Sequence, residues 1–174
     1  MEQRALLVID MLNDVVLEGA PLEVSATRTI LPSVQDQIKN ARTHHIPLFY
    51  LCDSHEGNDP EFLRMGWPPH ALAGTRGAEV VDALRPLTGD TIIFKKSYSG
   101  FFATSLDQAL HDRSITELLI TGCVTNICVL YTVADAVQRG YRVSIPRNCV
   151  AGLNREDHEF ALRQMKEVLG VQIL

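Results

Sequence analysis

No apolar run in the chain is long enough to cross a membrane, and nothing at its start reads as a leader. Met-Glu-Gln-Arg opens into a short apolar stretch broken at Asp10, without the long apolar core and small-residue cleavage site of a signal peptide. A cytoplasmic location is therefore expected. In that compartment the four cysteines, Cys52, Cys123, Cys128 and Cys149, are expected as thiols rather than as a disulfide framework. An excess of basic charge is missing too. Sixteen Lys and Arg against 21 Asp and Glu leave a net charge of −5 spread along the chain, so no basic face points to nucleic acid or to an anionic membrane. Repeats, low-complexity runs and an interdomain linker are also absent. The 174 residues fit one domain, residues 1–174, long enough to bury a full core.

What is present is alternation of short apolar runs with helical patterns. Strands are predicted at Ala5–Ile9, Pro47–Cys52, Thr91–Phe94, Glu117–Thr121, Tyr141–Ile145 and Val171–Leu174. Ala-Leu-Leu-Val-Ile and Leu-Leu-Ile-Thr are nearly continuous, as suits strands covered on both faces. Helices are predicted at Thr29–Thr43, with Ile30, Val34 and Ile38 spaced by four, and at Thr104–Asp112, Asn126–Arg139 and Arg155–Leu169. Gly140 stands where a helix C-cap is wanted. The order implies an α/β fold of three layers, α/β/α, around a mostly parallel, doubly wound sheet. Ser54–Pro69, rich in Gly, Asn and Pro, reads as a long irregular insertion, and such loops are usually functional.

In such sheets ligands bind outside the carboxyl ends of the strands. Asp10, Asp53 and Lys95 end the first three predicted strands, and the fourth leads through Gly122-Cys123-Val124-Thr125 to Cys128. Cys128 at a helix start would find backbone N–H groups that favour a thiolate and an oxyanion; a small buried hydrophobe is the alternative. Cys123 falls in the strand-to-helix turn, which suits backbone geometry better than attack. Asp10 either takes the thiol proton or bonds loop amides. Lys95 would offset that carboxylate or is merely solvated, and Lys96 competes with it, since consecutive strand residues point to opposite faces. Asp53, His55 and His70, with Glu61 between, are adequate ligands for a first-row transition metal, or else polar loop residues.

The stretch Leu-Leu-Ile-Thr-Gly-Cys-Val-Thr-Asn-Ile-Cys-Val-Leu-Tyr-Thr-Val-Ala-Asp-Ala resembles the nucleophile segment of the isochorismatase-like cysteine hydrolases, the superfamily that includes nicotinamidases. Lys95-Lys96-Ser97-Tyr98-Ser99-Gly100-Phe101 is similar to the family's lysine segment, and Val-Ile-Asp at 8–10 to its first segment. The resemblance runs from residue 5 to about residue 150 and implies an isochorismatase-like fold with an Asp10–Lys95–Cys128 triad. It also implies a cis peptide between Cys123 and Val124, and an oxyanion hole from the Val124 and Cys128 amides. Asp53-x-His55, Trp67-Pro68-Pro69-His70 and Gly74-Thr75-x-Gly77-Ala78-Glu79 resemble the metal-binding half of the nicotinamidase-like subgroup. Membership of that subgroup implies one divalent metal, zinc first and iron or manganese as alternatives, on Asp53, His55 and His70, with Glu61 as a fourth ligand. A small-molecule amide is the implied substrate and a homo-oligomer the implied assembly.

One departure concerns the substrate. Nicotinamidases commonly read Asp-x-Gln-x-Asp-Phe where this chain has Asp10-Met11-Leu12-Asn13-Asp14-Val15. Val15 replaces the aromatic that would lie on a pyridine ring, leaving Trp67 to supply a face. Against nicotinamide stand a metal-independent relative cleaving a ureido compound, a linear amide or isochorismate, and, from another class, a signalling receiver domain. A receiver has acidic residues at its first strand end and a later lysine, but no use for the cysteine turn or the Asp-x-His…His set.

Overall fold

The computed structural model describes residues 3–174. Its strands are β1 (Arg4–Ile9), β2 (Leu48–Asp53), β3 (Thr91–Lys95), β4 (Glu117–Cys123), β5 (Arg142–Ile145), β6 (Val150–Ala151) and β7 (Gln172–Ile173). Its helices are α1 (Asn13–Val16), α2 (Thr27–Thr43), α3 (Pro60–Met65), α4 (Leu106–His111), α5 (Leu130–Gln138) and α6 (Arg155–Glu167), with a π-helical turn, Thr125–Val129, running into α5. Every predicted strand and helix is there, displaced by a few residues at most at its ends. The two-residue β6 is additional.

The strands form one sheet in the order β3-β2-β1-β4-β5-β7, with β6 on β4 beyond the end of β5. All pairings are parallel. Alternate strand residues go to opposite faces, and both faces are covered. Ala5, Leu7, Ile9, Phe49, Leu51 and Ile120 meet Leu106 and Leu110 of α4, Val133 of α5, and Leu162 and Met165 of α6. Leu6, Val8, Leu48, Tyr50 and Cys52 meet Val15 of α1 and Ile30, Val34 and Ile38 of α2. Each Val, Leu, Ile, Phe or Met side chain among them contributes about 1.5–3 kcal/mol by leaving water, and burial on both sides is why the strands carry no apolar–polar alternation.

The chain leaves β1 toward β2 and β3 on one side and places β4 and its successors on the other. The switch point of the sheet thus lies between the carboxyl ends of β1 and β4. There the two strands approach too closely for a side chain at Gly122, where an added Cβ would lie 2.1 Å from the Ile9 carbonyl oxygen at φ +112°.

The Ser54–Pro69 segment departs from its predicted irregularity, because it contains α3. Asp59 caps this helix by accepting from the Glu61 N–H, Pro60 occupies its first turn, and Gly66 ends it in the left-handed region at φ 65°. Among the described residues no helix is long and apolar enough to cross a membrane.

Candidate active site

Asp10, Asp53, Lys95 and Cys128 do meet at the carboxyl ends of the central strands, brought there largely by strand register. Asp53 is the direct partner of Lys95 across β2 and β3, and Asp10 follows β1 with φ 48°. The Lys95 ammonium, only 1% exposed, lies 2.7 Å from Asp10 Oδ2 and 2.5 Å from Asp53 Oδ1. It donates as well to Ser97 O at 3.2 Å and to Cys128 Sγ at 3.4 Å. Asp10 Oδ1 accepts the Asp53 N–H at 2.8 Å. Its Oδ2 is the oxygen that faces the ammonium. Lys96 is different: its exposed ammonium meets Glu56 at 3.0 Å. Strand alternation thus sends the two lysines apart, as expected.

Burial and charge pull against each other in this cluster. Burial, then the negative charge of Asp53, pushes the Asp10 carboxyl up to about 6, against the pull of Lys95. Burial also opposes a charged Lys95, but Asp10, Asp53 and Cys128 outweigh it and hold the ammonium well above the usual lysine range. Burial pushes the Cys128 thiol well above its ordinary value, with Lys95 pulling the other way. Burial thus opposes the thiolate that the expected helix start favours. Cys128 sits inside the π-helical turn, ahead of α5, and desolvation dominates there.

Cys123 is buried with its thiol directed at the Asp10 carbonyl, 3.2 Å away. The peptide between Cys123 and Val124 is cis. Cys52 and Cys149 are buried in the core.

Beside these residues, Asp53, His55 and His70 bring ligand atoms within 4.8 Å of one another. Their hydrogen bonds suit a cation. His70 Nδ1 lies 2.8 Å from the Pro68 carbonyl and His55 Nδ1 3.0 Å from Asp59 Oδ2. Both partners only accept, so each Nδ1 carries a hydrogen, and in the neutral ring Nε2 keeps the lone pair. His55 Nε2 faces Asp53 Oδ2 at 3.8 Å. Burial opposes a charged His55, but in the metal-free chain Asp53 and Asp59 outweigh it and raise its pKa to about 9, so a metal taking Nε2 would displace a proton. Two buried imidazoles and a carboxylate fit a first-row transition metal. Glu61, on α3, is buried but joins His55 and Asp59 rather than the set with Asp53 and His70.

Both clusters open into one pocket of about 450 Å³ including its mouth, whose wall includes Asp10, Asp53, Glu61, His70, Val124 and Cys128. Val15 and Trp67 line it as expected. Trp67 stands edge-on to His70, with ring centroids 6.0 Å apart. Leu22, Tyr98, Ile127 and Leu153 complete the apolar wall, and sequence reasoning did not select them. Tyr98 was within reach, since it lies in the lysine segment. Leu22, Ile127 and Leu153 carry no signal of their own.

Sequence reasoning also missed the scaffold behind the site. Asp14 Oδ2 accepts the Ala71 N–H at 2.9 Å, and Asn13 Nδ2 donates to the Arg76 carbonyl at 2.7 Å, so α1 holds the segment that carries His70. His158, assigned no role from sequence, reaches Thr125 Oγ1 in the π-helical turn at 2.9 Å.

The model of the isochorismatase domain matches residues 4–173. Among relatives, a probable inactive nicotinamidase of Arabidopsis thaliana is 35% identical, covering 94% of this chain and 88% of its own. Among solved structures, pyrazinamidase of Pyrococcus horikoshii in complex with zinc superposes with a TM-score of 0.92 at 32% identity, covering 99% of this chain and 98% of its own. N-carbamoylsarcosine amidase from Thermoplasma acidophilum gives a TM-score of 0.89 at 32% identity, over 98% of this chain and 95% of its own.

Proposed function

The chain belongs to the isochorismatase family, and from that premise we propose a metal-dependent cysteine amidohydrolase of the nicotinamidase type, which converts nicotinamide or a similar small amide to its acid and ammonia. The observation that carries this reading is the double engagement of Lys95. One buried ammonium touches Asp10, Cys128 and Asp53, and so joins a nucleophile–base pair to a metal-ligand set in a single pocket.

Asp10, beside Cys128 and with its carboxyl pushed up to about 6 by burial, takes the proton from Cys128. Sulfur attacks the amide carbon, and the backbone N–H groups of Val124 and Cys128 receive the developing oxyanion. The carbon–nitrogen bond breaks as Asp10 returns its proton to the departing ammonia, leaving a thioester on Cys128. Water, deprotonated by the same Asp10, cleaves the thioester, and sulfur regains a proton. Lys95 balances the negative charge on Asp10 and on sulfur throughout. Asp53, His55 and His70 would hold a divalent metal, zinc foremost, which when bound supplies a Lewis-acid contact for a pyridine nitrogen. Trp67 offers a ring face beside it.

The Arabidopsis relative is described as inactive, but here the Lys95 ammonium reaches both Asp10 and Cys128, which supports an active enzyme. A second reading rests on Val15. With Leu22, Ile127 and Leu153 it makes the pocket wall aliphatic, which suits a linear or carbamoyl amide, as the name of the Thermoplasma neighbour suggests. The test is ammonia release from metal-replete protein offered nicotinamide, pyrazinamide, an N-carbamoyl amino acid and a linear amide. Turnover of the pyridine amide or the pyrazine amide is expected. Silence on both, with good turnover of an acyclic amide, would replace the first reading with the second.

A further inference from the structure

We propose that Asp59 is the positioning residue of the metal site, and that it must be a carboxylate because it serves two donors at once. The inference rests on the reading of Asp53, His55 and His70 as metal ligands. Asp59 is the N-cap of α3, where Oδ1 accepts the Glu61 N–H at 2.9 Å. Its Oδ2 meets His55 Nδ1 at 3.0 Å. Serine, threonine or asparagine caps a helix as well as aspartate does. None of them has a second acceptor oxygen of the same group to turn toward an imidazole.

The second oxygen decides what His55 can do. Facing an acceptor, Nδ1 must carry hydrogen, and once the ring is neutral the lone pair is left on Nε2, the nitrogen that looks toward Asp53. Histidine ligands are generally fixed in this way by a partner on their other nitrogen. His70 is fixed by a backbone carbonyl, which no substitution removes. Asp59 is the side chain with that task for His55.

The first oxygen matters through packing. By capping α3 it sets the helix that carries Phe62, and the Phe62 ring lies against both imidazoles, with centroids 5.2 Å from His55 and 5.2 Å from His70. One residue thus sets the tautomer of one ligand and the wall behind two.

Asp59→Asn separates these duties. The amide oxygen can still cap α3, but the amide NH₂ then faces His55 Nδ1, which must accept, and the ring hydrogen moves to Nε2. The ligating nitrogen is thereby blocked. The experiment measures Zn²⁺ affinity of the full chain by competition with a chelating indicator, alongside the melting temperature of metal-free protein. For Asp59→Asn, affinity is expected to fall about 10–100-fold, while metal-free Tm stays within about 2 °C of wild type. Asp59→Ala is expected to lose both affinity and Tm. Zinc binding by Asp59→Asn within about threefold of wild type, against the 10–100-fold loss expected, would overturn the inference and leave the metal reading standing. Absence of zinc binding by the wild-type chain would overturn the metal reading first, and this inference with it.

Discussion

Replacing Lys95 with methionine while sparing Lys96 tests the electrostatic account of the site most directly. Methionine keeps most of the buried stem and removes the charge. Two carboxylates, Asp10 and Asp53, then share a buried space without the ammonium that lies 2.7 and 2.5 Å from them. Removing one partner of a buried ion pair costs about 3–5 kcal/mol. A domain of this size loses ~2–4 °C per kcal/mol, so Tm of metal-free protein should fall by roughly 6–20 °C. Lys96→Met removes an exposed pair with Glu56, whose side chains are 62% and 65% exposed, and should cost about 0–1 kcal/mol. Turnover should drop at least ~100-fold in Lys95→Met and stay near wild type in Lys96→Met. The pH dependence supplies a second check. The folded protein already raises Asp10 from 3.8 to about 6. Folding therefore takes up a proton between those values, and this contribution to stability declines as pH rises through them. Without Lys95 the folded-state value climbs further, so the decline reaches to higher pH. The deficit of Lys95→Met should be smaller at about pH 5 than at about pH 8. Urea denaturation at both pH values measures it. Equal losses in the two variants, or a Lys95→Met deficit independent of pH, would refute the reasoning.

The sheet was legible because strands buried on both faces write themselves as unbroken apolar runs, and because Asp10, Asp53 and Lys95 break those runs at their carboxyl ends. The ion pair of Lys95 with Asp53 was not. It depends on the register of β2 against β3, which places the two residues side by side and which neither run specifies alone. The burial that opposes a Cys128 thiolate was hidden for a related reason. A helix start favours a thiolate and burial opposes it, and only the packed environment decides which wins. Helix α3 escaped because its six residues give too little periodicity to stand out from a Gly- and Pro-rich stretch. Its signal was present in another form, as Asp59-Pro60-Glu61 at one end and Gly66 at the other, the chemistry of a start and a stop. His55 and His70 could be paired from their spacing and the family pattern. Their tautomers could not, since these rest on a carbonyl and a carboxylate brought in by local folding.

Two further predictions concern the nucleophile and the scaffold. Cys128→Ala should abolish ammonia release with the fold intact, whereas Cys123→Ala should keep substantial activity; mass-spectrometric labelling by an amide-targeting electrophile should find Cys128, and labelling of Cys123 alone would reverse the assignment. The scaffold prediction is Gly77→Ala. A Cβ at Gly77 would lie 2.1 Å from Asp14 Oδ2, the oxygen that accepts the Ala71 N–H and so fixes Ala71, at φ 47°, next to His70. The Asp14 side chain must move, at a cost of about 1–3 kcal/mol for an overpacked site. The bond to Ala71 is then lost, and a residue held in the left-handed region relaxes together with its neighbour. Metal-free stability and Zn²⁺ affinity should both fall in Gly77→Ala, and Asp14→Ala should reproduce the loss of affinity. Because both changes act through one hydrogen bond, the double variant should be little worse than either single one. Additive losses of affinity would show that Gly77 acts by another route.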